Sequence, residues 1–490
     1  MKDVMRQAAT IFVLALAALA VPLLGFLEHN MQVIVTEEVV RVVGWLFAGA
    51  VAIAVVSVVL GLGRSALTLR IGLALSAVAA LLLMHSSLGL SDTRYWALVA
   101  GAALFSLALG VKPVVHAATA GVVVAALFPL WEIVSAERID ISADQSGVTQ
   151  VRAPARPGMP NVYFFVTDGY AGPKALSTLH GIDNSSFLNG LRSRGYFVPD
   201  GAKANYPMTF MAISAMYEMD YIADEKSEPF KNRGIFHGVF SMHNASLRAF
   251  ESLGYTTVKQ SSGYWGATRC HEEVDVCFEP AGRWYLTQLE YNILLLTPLH
   301  MDRYETLHPP INTIGDAAKR IDELLDEHRP FYYFGHTLPP HTPMAFDDDC
   351  NQLSNWQEET KYHGDGYALQ IRCVNGQVTR FVDEIAAKDP DAIVILTADH
   401  GNDKFVDWNA RMDAWDQKAI LDRYNIFLAV KMPQRCSGSL TEDLTPVNLL
   451  RVALGCIKGE PPELVENKSF IAVYEQNPDY GKVHRIHPEF

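Results

Sequence analysis

Positive charge is scarce in this chain of 490 residues. It has 40 Lys and Arg residues against 54 Asp and Glu residues, for a formal net charge of −14. A chain with this balance has no general attraction for a phosphate backbone, so we expect no nucleic acid partner. Internal repeats and low-complexity tracts are also lacking, and an apolar content of 49% is too high for a disordered protein.

Charge of either sign is rare in residues 1–134, which hold 7 basic and 6 acidic side chains. This region contains five apolar stretches, each long enough to cross the hydrocarbon core of a bilayer, which takes about 20 residues. A cleaved signal peptide would account for the first stretch but not for the other four. We therefore predict a transmembrane domain over 1–134 with five helices: 7–27, 43–62, 71–90, 95–111 and 113–131.

The basic residues between these stretches predict which side of the membrane each end occupies. Five lie on the side of the N-terminus and two on the other: Lys2, Arg6, Arg64, Arg70 and Lys112, against Arg41 and Arg94. Because Lys and Arg accumulate on the cytoplasmic side, the N-terminus is predicted to be cytoplasmic. An odd number of spans then places everything after residue 134 on the opposite side.

Cysteines are missing from the predicted spans and occur only in the exported part: Cys270, Cys277, Cys350, Cys373, Cys436 and Cys456. Disulfides are common outside the cytoplasm, and pairs of sequence neighbours are the natural expectation. Six cysteines nevertheless allow 15 pairings, and buried free thiols are the alternative interpretation.

Residues 135–160 have the composition of a linker, and residues 161–490 alternate short apolar runs with helical patterns. Continuous apolar strands separated by helices predict an α/β domain with a mostly parallel central sheet. The predicted strands are 161–167, 255–259, 331–336, 391–398 and 425–431, and the predicted helices are 185–194, 243–253, 313–327, 374–387 and 443–454. Ligands bind such sheets at the carboxyl ends of the strands.

Polar side chains follow two of these strands directly. Asp168 ends the first strand and precedes a glycine, an arrangement that is also common in ordinary turns. Asp399 and His400 follow the fourth strand and offer the oxygen and nitrogen donors that a divalent ion takes. A solvated loop is the alternative interpretation of the second pair.

Two further segments carry candidate residues. His336 and His341 lie in a stretch stiffened by three prolines, which suits a catalytic loop. Thr209 follows Pro207 at a predicted helix start, where the helix dipole favours an anion. Its hydroxyl could attack phosphorus if a metal lowers its pKa, although a simple helix cap is the commoner role for such a threonine.

The order of these elements resembles the alkaline phosphatase superfamily, in its sulfatase-like branch. That branch contains lipoteichoic acid synthases and the phosphoethanolamine transferases of bacterial envelopes. The resemblance covers 161 to about 456, and five N-terminal spans are also how those transferases are built. It implies one divalent ion, zinc or manganese, bound by Asp168, Thr209, Asp399 and His400, with Thr209 as the nucleophile.

The resemblance also implies that His341 contacts the phosphoryl group or the leaving oxygen. The residues expected to bind the substrate are His336, His341, Asn205 and Asn402.

The chain departs from its relatives at three points. The synthases and transferases usually have Glu where this chain has Asp168. Sulfatases need Cys or Ser followed by x-Pro-x-Arg, whereas Thr209 is followed by Phe-Met-Ala, which disfavours arylsulfate hydrolysis. No histidine occurs between His400 and His484, so we predict a single-metal site. The alternative is a second, weaker ion bound through His336 or His341.

The predicted function is that of a membrane-anchored phosphotransferase of the bacterial inner membrane, with its catalytic domain on the periplasmic side. It would move phosphoglycerol or phosphoethanolamine from a phospholipid donor to a glycan or lipid acceptor through a phosphothreonine. The alternatives are a hydrolase of the same superfamily, in which water is the acceptor, and a catalytically inactive envelope protein.

Overall fold

The chain folds into two compact units. The helical unit comprises Met1–Arg138 and Trp284–His308, and the sheet unit comprises Ile139–Arg283 and Pro309–Phe490. Most of the predicted linker lies outside the residues that the computed structural model describes. The described residues are 2–30, 36–62, 64–109, 111–135, 158–230, 244–262, 274–278, 288–298, 313–327, 329–342, 344, 346–351, 365–474 and 476–490.

The described N-terminal residues of the helical unit form α1 (Lys2–Asn30), α2 (Thr36–Leu60), α3 (Ser65–Leu82), α4 (His85–Leu88), α5 (Asp92–Leu109) and α6 (Lys112–Ser135). Long runs of Ala, Leu and Val favour helices here, because a helix satisfies its own backbone polar groups where water is absent. Among the described residues, four helices, within α1, α2, α3 and α6, are long and apolar enough to cross a membrane.

Two of the five predicted spans differ from the helices observed. The predicted span 95–111 falls on α5, whose first turn carries the charged Asp92 and Arg94, and α5 is not among the four. The predicted span 71–90 falls on α3, which starts earlier, and on α4, which follows a break at Leu83 and Met84. The count of five therefore stays a prediction, whereas a set of apolar N-terminal helices is confirmed.

Large apolar side chains cover the outer surface of the helical unit. Trp45, Phe105 and Phe128 are 64%, 66% and 71% exposed. Apolar exposure of this extent is unfavourable in water and is typical of a surface that faces lipid or another protein.

The helical unit also contains a segment that the sequence places far downstream. The helix Gln288–Leu295, here called the inserted helix, packs Leu289 against Leu23, Leu27 and Val42. Its Glu290 is buried, accepts a hydrogen bond from Trp45 Nε1 at 2.8 Å and lies 3.0 Å from an Arg41 guanidinium nitrogen. This association was not predicted.

Six of the described strands of the sheet unit form a central sheet in the order β3-β2-β4-β1-β5-β6. All neighbours run parallel except β5 and β6, so the predicted mostly parallel α/β fold is confirmed. The strands are β1 (Val162–Thr167), β2 (Thr256–Gln260), β3 (Val276–Phe278), β4 (Phe331–Thr337), β5 (Ile393–Ala398) and β6 (Leu428–Lys431), and β7 (Ser469–Ile471) pairs with β8 (His484–Ile486) in a second sheet.

The described helices of the sheet unit are α7 (Pro173–Leu179), α8 (Ser185–Ser193), α9 (Thr209–Glu218), α10 (Ala245–Ser252), α11 (Ile314–Ala318), α12 (Ile321–Leu325), α13 (Asp365–Lys388), α14 (Gln417–Tyr424) and α15 (Pro446–Lys458). The predicted helix 313–327 is two short helices, separated by a turn at Lys319 and Arg320. Strands β1, β4 and β5 are buried along their whole length, as expected for a parallel sheet covered on both faces.

The register of the three central strands aligns their carboxyl ends. Thr167, the last residue of β1, pairs with Thr337 of β4 on one side and Ala398 of β5 on the other. The residues that follow these strands are therefore neighbours in space.

Two disulfides join cysteines that are neighbours in sequence, Cys350 with Cys373 and Cys436 with Cys456. Cys277 is also disulfide-bonded. These pairings confirm the predicted disulfides for the described cysteines, whereas Cys270 lies outside the described residues.

Candidate active site

Asp168 is held at the carboxyl edge of the sheet by the turn that follows β1. Its backbone N–H donates to Thr337 O at 2.9 Å, which continues the strand pairing by one residue. Gly169 then adopts a positive φ of 70°, a conformation that glycine allows without strain, and its N–H donates to Asp399 Oδ1 at 3.1 Å. The turn thereby brings Asp168 and Asp399 to the same point.

Asp399 and His400 follow β5 and are both buried. Asp399 Oδ1 also accepts the His400 N–H at 2.9 Å, and Asp399 Oδ2 lies 3.2 Å from His400 Nε2. His400 Nδ1 lies 2.9 Å from Gly401 O, and because a carbonyl can only accept, this nitrogen carries a proton. In a neutral His400, Nε2 then carries no proton, and its lone pair, which faces the two carboxylates, is available to a metal ion.

Thr209 is the first residue of α9, so the predicted helix start is confirmed. It is half-buried, and its Oγ1 lies 3.0 Å from His400 Nε2. Thr209 lies 191 residues before His400 in sequence, yet the two side chains meet at one edge of the sheet. The structure thus brings together the four residues predicted to form the ion site.

His336 was predicted to bind the substrate, but in the structure it lies directly beside the carboxylates. It is paired with Val166 in the sheet, is 2% exposed, and places Nε2 3.5 Å from Asp168 Oδ2. His341 lies in the loop after β4, with Nδ1 2.7 Å from Thr342 O and its ring centroid 6.4 Å from that of His400. His341 is therefore at the edge of the same cluster.

The two predicted asparagines have different surroundings. Asn205 is buried, accepts the Val447 N–H at 2.9 Å and donates to Lys468 O at 2.8 Å, so its amide joins α15 to the segment before β7. Asn402 follows Gly401, and its Oδ1 accepts the backbone N–H groups of Asp403 and Lys404 at 2.9 Å each. Both the oxygen and the nitrogen of the Asn205 side-chain amide thus form hydrogen bonds within the fold. The substrate-binding role of Asn205 and Asn402 stays a prediction.

The donor set fits a divalent cation. Asp168, His336 and Asp399 each offer a ligand atom, and these atoms all lie within 4.8 Å of one another. Within the described part of the chain, Asp168 Oδ1, Asp399 Oδ2 and both ring nitrogens of His336 have no hydrogen-bond partner although they are buried. Buried polar atoms are normally satisfied, so an ion that takes these lone pairs accounts for them.

The electrostatics of the cluster favour the same conclusion. Burial alone would raise the pKa of Asp168, but His341 and the two other histidines outweigh it, and the pKa is lowered. Burial and the charge of Asp168 raise the pKa of Asp399 to about 6. Burial and the positive charge of Arg423 lower the pKa of His400 well below its ordinary value. A charged carboxylate and a neutral imidazole are the forms that bind a metal.

Two residues that sequence reasoning missed support this geometry. The Tyr367 hydroxyl donates to Gly169 O at 2.9 Å and accepts from Ala171 N at 3.0 Å, which fixes the turn after Asp168. Arg423 contacts the backbone of Pro207 and of Gly401. Neither residue lies at a strand end, and the only sequence signal for Arg423 is its place just before β6.

The sulfatase family model matches residues 246–418, a segment that includes Asp399 and His400 but not Asp168 or Thr209. This match confirms the predicted resemblance to the sulfatase-like branch over that part of the chain. No curated protein sequence matches the chain.

Several solved structures are similar to this chain at low identity. The periplasmic domain of EcEptC from Escherichia coli is 13% identical, with a TM-score of 0.42, and the match covers 66% of this chain and 97% of that chain. The integral membrane protein lipooligosaccharide phosphoethanolamine transferase A from Neisseria meningitidis is 12% identical, with a TM-score of 0.40, over 89% of this chain and 78% of that chain. The lipoteichoic acid synthase LtaP from Listeria monocytogenes is 11% identical, with a TM-score of 0.41, over 69% and 83%.

Proposed function

We propose that this protein is a membrane-anchored, metal-dependent phosphotransferase. The observation that carries the proposal is the approach of the Thr209 hydroxyl to His400 Nε2, at 3.0 Å, beside two buried carboxylates. A hydroxyl at the start of a helix, next to a site suited to a cation, is the arrangement that a phosphoryl-transfer nucleophile needs.

We further propose that Asp168, Thr209, Asp399 and His400 hold the ion, as predicted, and that His336 is an additional ligand. A zinc or manganese ion there would lower the pKa of the Thr209 hydroxyl and balance the charge that develops on the phosphoryl oxygens. The carboxylates of the set are buried, so their attraction for the ion is stronger than it would be at an exposed site.

In the first proposed step, Thr209 Oγ1 forms a bond to the phosphorus of a phospholipid, and the bond from phosphorus to the diacylglycerol oxygen breaks. The proton lost by Thr209 ends on that oxygen, and His341 is the residue proposed to deliver it. In the second step, an acceptor hydroxyl of a glycan or lipid attacks the phosphothreonine, and its proton ends on the Thr209 oxygen. The headgroup is phosphoglycerol or phosphoethanolamine.

The apolar helices support transfer over hydrolysis. They favour a position in the membrane, where phospholipid headgroups are abundant and nucleoside triphosphates are not. The proposed arrangement keeps the five predicted spans in 1–134, the linker 135–160 and the domain 161–490, in a bacterial inner membrane with the sheet unit on the periplasmic side.

Substitution of Thr209 tests this proposal. Full-length protein in detergent, loaded with zinc or manganese, is assayed with a chromogenic phosphodiester and with a labelled phospholipid, each with and without an acceptor glycan. Thr209→Ala should abolish turnover, and wild-type protein quenched during turnover should yield a phosphorylated Thr209 peptide by mass spectrometry. Thr445→Ala, which alters a threonine at the N-cap of α15, is the matched control and should remain active.

The outcomes separate the candidate functions. Rapid turnover that does not respond to acceptor would indicate a hydrolase. Wild-type turnover by Thr209→Ala would exclude the covalent mechanism. No turnover by the loaded wild-type protein with any phosphodiester would favour the inactive envelope protein.

A further inference from the structure

Arg423 is a buried cation close to the candidate site. It lies in the last turn of α14 and is 2% exposed. Its Nε donates to Pro207 O at 2.6 Å, and its Nη1 donates to Gly401 O at 3.0 Å. One guanidinium therefore joins two stretches of backbone that are almost 200 residues apart in sequence.

The Gly401 carbonyl is shared by two donors. It accepts from Arg423 Nη1 and also from His400 Nδ1, at 2.9 Å. In return, the Gly401 N–H donates to Arg423 O at 2.7 Å. These hydrogen bonds fix the ring of His400 so that Nε2, and not Nδ1, faces Thr209 Oγ1.

The Pro207 carbonyl lies on the other side of the site. Pro207 precedes Thr209 by two residues, and Met208 between them is extended and forms the N-cap of α9. A hydrogen bond to Pro207 O thus restrains the backbone that leads directly into Thr209. Arg423 is bonded to the segment that supplies the hydroxyl and to the segment that supplies the imidazole.

The chemistry of the guanidinium suits this role. Its donors lie in one plane at fixed angles, so two hydrogen bonds of one arginine define the relative position of two acceptors. The ring of Trp408 lies 5.1 Å from Arg423 Cζ and helps to bury the group. Hydrogen bonds are stronger in such a low-dielectric setting than in water.

We propose that Arg423 is a positioning residue that keeps the Thr209 hydroxyl and His400 Nε2 at hydrogen-bond distance by holding the Pro207 and Gly401 carbonyls. The effect on catalysis rests on the proposed function, whereas the effect on the geometry of the site does not. The two parts can therefore be measured separately.

The test uses full-length protein in detergent, loaded with cobalt(II) as a spectroscopic probe and, separately, with zinc for kinetics. The visible absorption spectrum of cobalt reports the arrangement of its ligands and needs no turnover. The variants are Arg423→Gln, which removes the charge, and Arg423→Lys, which keeps the charge but lacks the planar fork.

Arg451→Gln is the matched control. Arg451 also donates to two backbone carbonyls, Met219 O at 2.5 Å and Glu463 O at 2.7 Å. Met219 is the C-cap of α9, so this arginine restrains the opposite end of the same helix from Thr209.

Both Arg423 variants should change the cobalt spectrum, and Arg423→Gln should lower kcat about 100-fold, the loss typical of a displacement near 1 Å, with KM little changed. Arg451→Gln should lower thermal stability but keep the spectrum and kcat of the wild type. A wild-type spectrum and kcat in Arg423→Gln would overturn the proposal, as would an equal loss in Arg451→Gln.

If Arg423→Gln does not fold, Arg423→Lys decides, because a wild-type spectrum and kcat in that variant also overturn the proposal. If the wild-type protein turns over no phosphodiester, the proposed function fails. The cobalt spectra alone then support or refute the proposal that Arg423 positions the Thr209 hydroxyl and His400 Nε2.

Discussion

Replacement of Gly401 by alanine is the substitution whose effect follows most directly from the structure. A Cβ at this position would lie 2.1 Å from Asp422 O and 3.1 Å from Asn425 O. Both are backbone atoms at the end of α14, so no side chain can rotate to make room. The backbone of Gly401 or of α14 must move instead.

The magnitude can be derived from this clash. Inserting a methyl group into a packed interior costs about 1–3 kcal/mol. The movement would also displace His400, whose Nδ1 bonds to Gly401 O and whose Nε2 lies 3.0 Å from Thr209 Oγ1. A displacement near 1 Å in a catalytic group can lower the rate about 100-fold. We expect Gly401→Ala to lose both stability and activity.

The assay is the thermal midpoint and the kcat for a chromogenic phosphodiester, both measured on zinc-loaded, full-length protein in detergent. Gly376→Ala is the control, since Gly376 lies inside helix α13 with nothing within 4 Å of an added Cβ. That change should stabilise the protein by roughly 0.5–1 kcal/mol and leave kcat unchanged. Wild-type stability and rate in Gly401→Ala, or equal losses in Gly376→Ala, would refute the reasoning.

Three further predictions concern ion binding and the disulfides. Burial and the charge of Asp168 raise the pKa of Asp399 to about 6 in the ion-free protein, so zinc must displace a proton from this carboxyl at lower pH. The zinc affinity measured by chelator competition should therefore fall as the pH is lowered through about 6, and a flat affinity down to pH 4 contradicts the assignment. His336→Ala should weaken zinc binding by more than the roughly 10- to 100-fold typical of an outer-sphere partner, and unchanged affinity would exclude His336 as a ligand. Replacing Cys436 and Cys456 by serine should cost about 3 kcal/mol in unfolding experiments, since the disulfide closes a loop with a sequence separation of 20, and a loss well below 1 kcal/mol would contradict it.

The sequence was sufficient to predict the residues that follow directly on strands. Asp168, Asp399 and His400 each end an apolar run, and parallel strands bring their carboxyl ends to one edge. Their convergence therefore depends on which strands are neighbours in the sheet and not on the details of side-chain packing. Thr209 was predicted for a different reason, because Pro207 marks a helix start, where free N–H groups favour an anion.

Residues whose roles depend on register or on distant partners could not be predicted. The pairing of His336 with Val166 places its ring beside Asp168, and the pattern of apolar residues does not define which residues pair across strands. Arg423 donates a hydrogen bond to Pro207 O, 216 positions earlier in sequence. The sequence pattern does not predict the direction of this side chain. The packing of Leu289 in the helical unit was missed because the segment is short and apolar, which also suits the interior of the sheet unit.

The inserted helix has a practical consequence for how this protein can be produced. A soluble fragment cut after the N-terminal helices would keep residues 288–295 but lose Leu23, Leu27 and Val42, against which Leu289 packs. Glu290 would lose Arg41 and Trp45 in the same cut. Such a truncation would expose apolar side chains and leave the Glu290 carboxylate without these two partners. We therefore expect the fragment to aggregate unless residues 288–295 are removed or redesigned.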